Sequence, residues 1–304
     1  LSIILSIVCV YFVYQKIDSD NFFRELLNVK FYYIVIASVF LYITIWLRAL
    51  RWNIILTKKN SLYSLFKIQM IGYFVNYTLP LRAGEVLKSL LLGKKTGVSK
   101  SYIFGTVVIE RFLDMFNLFL MTLIAIFISP IKIIAGVSIY WYLFMVFIVL
   151  CLFMLLFNFL KIIKISFLKH LISNFVLAYD RINLSQFIYS TLIGVVIWLI
   201  YWVNVDMIFR AFGVNVEWHH SLVVLIVSSF ALSIPSLPGA LGTFHLAVKL
   251  TLSSLFIVDD NLILPFITIL HGYGYLLLTI IGFYYVILDK DIGVKQLLDM
   301  ESVK

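Results

Sequence analysis

Long apolar runs separated by short polar segments recur along the whole chain, a pattern typical of a protein that crosses a membrane several times. A spanning helix needs about 20 predominantly apolar residues. We predict six spanning helices, each bounded by charged or turn-forming residues. They are Leu1 to Tyr14, Phe31 to Leu50, Tyr102 to Ile128, Ile133 to Phe157, Gln186 to Phe212 and Leu262 to Leu288. The first run could be a shortened helix or a signal-like segment, and we favour the helix.

Two further apolar stretches are interrupted. Leu62 to Leu92 is broken at Leu79 and Pro80, and Ser221 to Phe256 is broken by prolines and glycines. The breaks in the second stretch are Pro235, Pro238, Gly239 and Gly242. Proline removes a backbone donor and clashes with the preceding turn, so both stretches should be interrupted helices. Non-helical backbone at membrane depth must be buried in protein or line a wet cavity. We therefore predict two Pro-broken re-entrant segments.

Composition narrows the fold class. The 304 residues are 63% hydrophobic and only 13% charged, which lies outside the range of soluble domains. We predict an all-α polytopic membrane protein with a single integral-membrane domain over residues 1–304, and we exclude a soluble enzyme. The net charge of +9 indicates basic cytoplasmic loops before it indicates nucleic-acid binding. Cys9 and Cys151 lie in separate apolar runs, which supports neither a disulfide framework nor a metal site. No cofactor is expected.

The basic residues predict how the chain is oriented, because Lys and Arg collect on the cytoplasmic side. One basic segment follows the predicted helix Phe31 to Leu50, and a second follows the break at Pro80. They contain Arg48, Arg51, Lys58, Lys59 and Lys67, and then Arg82, Lys88, Lys94, Lys95 and Lys100. Both segments can be cytoplasmic only if Leu62 to Leu81 enters and leaves from the cytoplasmic face, as a re-entrant hairpin or as an even number of passes. Continuing the count places the second interrupted stretch on the outer face and the C-terminal tail, with Lys290 and Lys295, in the cytoplasm.

Two broken segments of opposite orientation are the expected mark of an inverted-topology repeat. Pro80 and Pro238 lie half a chain apart. We assign the half-repeats to residues 31–157 and 186–288, and interpret them as a transporter-like core. The alternative is that both stretches are ordinary Pro-kinked helices and that the loop charges mislead by one crossing.

Three charged residues lie together inside one predicted span, at Glu110, Arg111 and Asp114. A charge at the bilayer centre costs about 2.5–3.5 kcal/mol on insertion scales, so such residues need a partner or a role. Glu110 and Asp114 are four residues apart and share a helix face, while Arg111 is three residues from Asp114 and can pair with it. We interpret the group as part of a functional polar interior. The alternative is a structural ion pair.

A second polar group surrounds the first break. It contains Asn76, Arg82, Gly84, Glu85 and Lys88. A guanidinium presents a planar fork of donors that suits phosphate, and a helix N-terminus favours an anion. The group therefore predicts a site for a lipid phosphate. The alternative is an interfacial turn whose Arg82 and Lys88 reach lipid head groups without selectivity.

Three ordered motifs carry a family resemblance. They are Asn-x-x-Leu-Pro-x-Arg-x-Gly-Glu from Asn76 to Glu85, Glu-Arg-x-x-Asp from Glu110 to Asp114, and Pro-x-x-Pro-Gly-x-x-Gly-x-Phe from Pro235 to Phe244. Together they resemble the flippase-like membrane domain of lysylphosphatidylglycerol synthases, and the resemblance covers essentially the whole chain. It implies a helical membrane bundle with re-entrant helices that moves a lipid between leaflets, such as an aminoacylated phosphatidylglycerol or a glycolipid.

The resemblance also implies site residues. The implied polar centre is Arg82, Glu85, Glu110, Arg111 and Asp114, and the implied opposite break is Pro238, Gly239 and Gly242. The family usually has Glu where this chain has His245, and Lys249 follows one turn later. This half-site therefore loses a carboxylate, and we expect it to favour an anionic head group over a cationic aminoacyl one. The alternative is that His245 only donates a hydrogen bond in the core.

The expected function is transbilayer movement of a phospholipid or lipid-linked head group, anionic or aminoacylated, in the cell membrane. The expected partners are membrane lipids, including polyprenyl-linked ones, with a second copy of the chain or a separate lipid-synthesising enzyme as a further possibility and no nucleic acid. One alternative is an integral-membrane lipid-phosphate transferase with Glu85, Glu110 or Asp114 as general base, and another is a non-catalytic scaffold. The fusion enzymes of the resembled family carry a cytosolic aminoacyl-transferring domain after their membrane part. This chain ends at Lys304, soon after its last helix, so aminoacyl transfer by this chain alone is not expected.

Overall fold

The computed structural model describes residues 2–14, 18–56, 59–79, 83–131, 133–134, 137–162, 169–233, 238–255 and 258–288. Within these ranges the chain forms twelve α-helices and one two-stranded antiparallel ladder. The helices are α1 (Ser2–Tyr14), α2 (Ser19–Leu27), α3 (Phe31–Ile55), α4 (Leu62–Thr78), α5 (Ala83–Thr96), α6 (Lys100–Ile128), α7 (Ile139–Ile162), α8 (Lys169–Asp180), α9 (Leu184–Ala211), α10 (Trp218–Ser233), α11 (Thr243–Leu255) and α12 (Asp260–Leu288). The strands are β1 (Ile133–Ile134) and β2 (Val137–Ser138).

Five helices in the described ranges are long and apolar enough to cross a bilayer: α3, α6, α9, α12 and the Ile139–Leu156 part of α7. They contain 18 to 29 residues and at 1.5 Å per residue they extend about 27–43 Å, against a hydrocarbon core of about 30 Å. The prediction of a polytopic helical membrane protein is therefore confirmed. Helix α1 covers the first predicted span, but its 13 residues extend only about 20 Å.

One predicted boundary is wrong. The apolar run predicts a span from Ile133, whereas α7 begins at Ile139. The intervening residues pair as strands, with Ile133 opposite Ser138 and Ile134 opposite Val137. Isoleucine and valine are branched at Cβ and favour extended backbone, so an apolar run of this composition can leave the helix without losing hydrophobicity.

The first interrupted stretch is a helical hairpin, in which α5 folds back along α4. Helix α4 ends at Thr78, and Leu79 is extended with φ −107° and ψ 149°. The ring of a following proline clashes with a helical residue before it, which accounts for an end at this point. The predicted break between Leu79 and Ala83 is confirmed, while Pro80 and Arg82 lie outside the described residues.

The second interrupted stretch is also a helical hairpin, formed by α10 and α11. A short 3₁₀ turn at Pro238–Ala240 precedes α11. Gly239 and Gly242 have φ of +69° and +93°, values that a residue without Cβ adopts at little cost. Both predicted glycine breaks are confirmed, and Pro235 lies outside the described residues. The four hairpin helices have 13 to 17 residues, about 20–26 Å each, so none is long enough to span alone.

The hairpins occupy equivalent positions in the bundle. Helix α3 packs along α9, α4 packs against α12, and α6 packs against α10. The first hairpin contacts the helices that precede and follow it, α3 and α6, and the second contacts α9 and α12 in the same way. Two apolar cores result, and α6 and α12 contribute to both. The re-entrant orientation, the half-repeats and the cytoplasmic C-terminus stay predictions, and residues 289–304 lie outside the described part of the chain.

Candidate functional site: a buried charge network beside a cavity

Helix α6 places three charged side chains near its midpoint. Asp114 is the central residue of this 29-residue helix, and Glu110 lies one turn before it. The residue exposures are 0% for Glu110 and 5% for Asp114. Arg111 is on the same helix and its side chain is 32% exposed. Buried carboxylates at this depth require positive partners, and helices α3 and α5 supply them.

Asp114 is bound by three arginines. Its Oδ1 lies 2.8 Å from Nη1 of Arg51, and its Oδ2 lies 2.9 Å from Nη1 of Arg48 and 3.3 Å from Nη1 of Arg111. The first two arginines are three residues apart on α3, so they share a helix face. The predicted pairing of Arg111 with Asp114 is confirmed. The carboxylate is thus held by two helices, and two guanidinium groups meet at one of its oxygen atoms.

Glu110 is bound by Lys88, Gln69 and Arg51. Nζ of Lys88 lies 2.9 Å from Oε2 of Glu110, and the Gln69 amide donates to Oε1 at 3.2 Å. Arg51 Nη2 lies 3.8 Å from the same Oε1. The ammonium of Lys88 also lies 4.9 Å from the centroid of the Trp52 ring, a favourable cation–π position. Lys88 is 2% exposed, so it cannot reach a lipid head group by extending to the surface.

Glu85 and Asn76 tie the first hairpin to this group. Glu85 lies 3.5 Å from Lys88 and 3.8 Å from Arg111. Oδ1 of Asn76 accepts a hydrogen bond from the backbone N–H of Gly84 at 2.9 Å, which satisfies a donor that the first turn of α5 leaves unpaired. The Asn76 amide donates to Glu85 at 3.4 Å. The side chain therefore bridges the break and fixes the start of α5.

We call these seven charged residues the charge network. They are Arg48, Arg51, Glu85, Lys88, Glu110, Arg111 and Asp114. Each carboxylate of the network contacts at least two basic groups. Four basic groups face three carboxylates, so among the described residues the network has one positive charge in excess.

We expect a double-mutant cycle on Lys88 and Glu110 to give a large coupling energy. Lys88→Met and Glu110→Gln should each destabilise the protein by about 3–5 kcal/mol, because each leaves a buried charge with weaker partners. The double variant should lose less stability than the sum of the two single variants. The difference, which is the coupling energy, should be about 1–3 kcal/mol. Unfolding free energies in detergent micelles measure the cycle. The matched control is the pair Asp206 and Arg210, four residues apart on α9, whose arginine is half exposed and for which about 0.3–0.5 kcal/mol is expected. Equal coupling in the two cycles would contradict the buried pair.

A cavity of about 590 Å³ lies beside the charge network. Residues of eight helices line it, namely α3, α4, α6, α7, α9, α10, α11 and α12. Arg48, Arg111 and Asp114 form its charged wall. The hydroxyl of Tyr201, also in the lining, accepts a hydrogen bond from Nε of Arg48 at 3.1 Å. The volume is within the range of ligand pockets, about 300–1,000 Å³.

The second hairpin and α12 form a second wall of the cavity. Ser228, Ser229 and Ser233 of α10, Phe244 of α11, and His271 and Tyr273 of α12 line this side. Its tip also approaches the first hairpin, since a Cβ on Gly239 would lie 2.8 Å from the ring of Tyr275 and 3.5 Å from that of Tyr77. The ends of the two hairpins therefore meet at one place in the bundle.

The structure brings most of the sequence-predicted site residues together. Asn76, Glu85, Lys88, Glu110, Arg111 and Asp114 form one connected group, while Arg82 lies outside the described residues. His245 is 6% exposed, and its ring centroid lies 5.0 Å from that of His271. Lys249 has a different environment, because its Nζ donates to the backbone carbonyls of Phe12 and Val13 at the end of α1. It is placed to satisfy a helix C-terminus and is not among the residues that line the cavity.

Sequence reasoning missed Arg48 and Arg51 as site residues. The charge count places both in a cytoplasmic segment, but both lie inside α3, at 5% and 0% exposure. The available signal was their spacing of three residues within a run that continues through Trp52 to Ile55. The charge count also places Lys88 in a cytoplasmic segment, but its side chain is buried. Three of the basic residues that support the predicted orientation are therefore buried inside the bundle and do not lie in a cytoplasmic loop.

Two comparisons with known proteins bear on this site. A family model described as the lysylphosphatidylglycerol synthase TM region matches residues 1–282. A UPF0104 membrane protein of Methanocaldococcus jannaschii is 28% identical over 180 residues, which cover 58% of this chain and 77% of that protein. The family match includes the charge network, the cavity and both hairpins.

Proposed function

Because the chain belongs to the family described as the lysylphosphatidylglycerol synthase TM region, we propose that it moves a lipid head group across the bilayer. The head group passes through the cavity between the two hairpins, while the acyl chains stay in the hydrocarbon. The observation that carries the proposal is a cavity of about 590 Å³ with Arg48, Arg111 and Asp114 on one wall, bounded by helices long enough to span.

The energetics of the charges support this proposal. Each charge at membrane depth costs about 2.5–3.5 kcal/mol on insertion scales unless it is paired or solvated. The interior network pairs its charges with one another, and Arg111 reaches the cavity with about a third of its side chain exposed. A polar head group that enters the cavity thus meets charges already fixed in place, and it exchanges its water shell for these groups.

The packing of the hairpins supports an inverted repeat as the basis of transport. In such transporters the substrate site lies near the membrane midplane, where two discontinuous helices meet. Here the contacts of the first hairpin recur for the second, and the 3₁₀ turn of the second packs against α4 of the first. Movement of one half against the other would open the cavity alternately to each leaflet.

The same contacts favour translocation over the transferase alternative. A general base needs a carboxylate free to accept a proton from a substrate. Glu110 is fully buried and held by Lys88, and Asp114 is held by three arginines. The third candidate, Glu85, lies 3.5 Å from Lys88 and 3.8 Å from Arg111.

We expect Arg111→Ala to reduce lipid transfer at least tenfold in liposomes that contain the purified protein. The substitution removes the most exposed charge on the cavity wall, and Asp114 keeps Arg48 and Arg51 as partners, so folding should be retained. The measurement is the dithionite-accessible fraction of a fluorescent phospholipid over time. Arg210→Ala is the matched control, because this arginine pairs with Asp206 near the end of α9 and is not among the cavity-lining residues. Unchanged transfer in folded Arg111→Ala would favour a scaffold role.

A further inference from the structure

We infer that the cavity selects a head group that combines an anionic phosphate with an uncharged, hydroxylated part, and that it disfavours a cationic aminoacylated head group. This inference rests on the proposed lipid translocation and names the substrate class of the same site. It is carried by the difference between the two walls of the cavity.

The first wall has an excess of positive charge. Within the described residues the charge network has four basic groups and three carboxylates. The carboxylate in the cavity lining, Asp114, is already held by three guanidinium groups. An entering anion would balance the remaining charge, whereas an entering ammonium would find no free carboxylate on this wall.

The geometry of two arginines suits a phosphate. Arg48 and Arg111 both line the cavity, and one nitrogen of each lies within 3.3 Å of the same oxygen of Asp114. Their guanidinium groups are therefore close neighbours. Arg111 reaches the cavity with about a third of its side chain exposed. Planar guanidinium donors bind phosphate oxygens in pairs, which a lysine ammonium cannot do.

The second wall presents serine hydroxyls among apolar side chains and has no Asp, Glu, Lys or Arg among its described lining residues. The hydroxyls of Ser228 and Ser229 donate to the carbonyl of Leu225, and Ser233 donates to the carbonyl of Ser229. Each hydroxyl oxygen keeps acceptor capacity for a ligand hydroxyl. His271 also belongs to the cavity lining on this side.

The test compares two lipids that differ only in the aminoacyl group. Purified full-length protein is reconstituted into phosphatidylcholine vesicles that contain fluorescent phosphatidylglycerol or fluorescent lysylphosphatidylglycerol. We expect phosphatidylglycerol to move at least tenfold faster. Equal rates, or faster transfer of the lysylated lipid, would overturn the selectivity and leave translocation standing. Transfer of neither lipid by folded protein would overturn the proposed function and the selectivity together.

A charge placed on the neutral wall tests where the head group lies. Ser229→Asp should raise transfer of lysylphosphatidylglycerol relative to phosphatidylglycerol about tenfold, because it supplies the missing carboxylate. Ser229→Asn has nearly the same shape without the charge and should leave the ratio as in the unsubstituted protein. The same change of ratio in both variants, or in neither, would overturn the assignment of this wall.

A soluble phosphate ion has the same anionic chemistry as a lipid phosphate, so a further experiment distinguishes the two ligands. Vesicles without a labelled lipid are incubated with radioactive inorganic phosphate, and its uptake is compared with that of protein-free vesicles. We expect no protein-dependent uptake, because a lipid phosphate enters from the bilayer. Protein-dependent uptake that is lost in Arg111→Ala would reassign the cavity to soluble anions and overturn the lipid head group as its ligand.

Discussion

Replacing Asp114 by Asn is expected to destabilise the protein by about 3–5 kcal/mol, the cost of removing one partner from a buried ion pair. The change is nearly isosteric, so it creates no cavity. It leaves Arg48, Arg51 and Arg111 around an uncharged amide, and two of these arginines have side chains exposed by 6% or less. Three cations would then repel one another in a region that water reaches poorly. The free energy of unfolding in detergent micelles measures the loss.

A second substitution separates charge from other effects of Asp114→Asn. Arg51→Gln in the same chain removes one of the three cations around the amide, so the double variant should be more stable than Asp114→Asn alone. Asp206→Asn is the matched control, since its arginine partner is half exposed and its loss should cost about 0.5 kcal/mol. If Asp114→Asn were no more costly than Asp206→Asn, the three-arginine arrangement around Asp114 would be wrong.

The sequence predicted the parts of the fold that local physics controls. Apolar length located five spanning helices, and the proline and glycine positions located both interruptions. The turn at Gly239 and Gly242 follows from backbone conformations that other residues adopt with difficulty. Helix periodicity placed Glu110 and Asp114 on one face. None of these inferences needed to know which helices pack together.

The missed residues depend on contacts between distant parts of the chain. Arg48 and Arg51 find their carboxylate 66 and 63 residues later, and no local pattern distinguishes such arginines from those of a cytoplasmic loop. The positive-inside rule treats them alike. Lys249 shows the converse error. Its closeness to the second break suggested a ligand, but its acceptors are carbonyls of α1, 236 and 237 residues earlier in the chain.

The charge network also depends on how closely α4 and α5 approach each other, and a pair of glycines makes the close approach possible. Gly84 of α5 faces Gly72 of α4, and a Cβ on Gly84 would lie 2.0 Å from the carbonyl oxygen of Gly72 and 2.6 Å from Oδ1 of Asn76. The first contact is with backbone, which cannot rotate away. The stem of Lys88 passes the same place, since a Cβ on Gly72 would lie 2.7 Å from it. The two glycines let Lys88 reach Glu110.

Gly84→Ala is therefore expected to cost at least about 3 kcal/mol, the upper part of the range for overpacking, and to reduce lipid transfer because it separates α4 from α5. Thermal unfolding in detergent and the liposome assay measure the two effects. Gly272→Ala is the matched control: it lies within α12, and a Cβ there would meet nothing within 4 Å. Alanine favours a helix over glycine by about 0.8–1 kcal/mol, so this control should be neutral or slightly stabilising. Equal stability of the two variants would contradict the close approach of α4 and α5. It would also contradict the contact between Lys88 and Glu110, which depends on that approach.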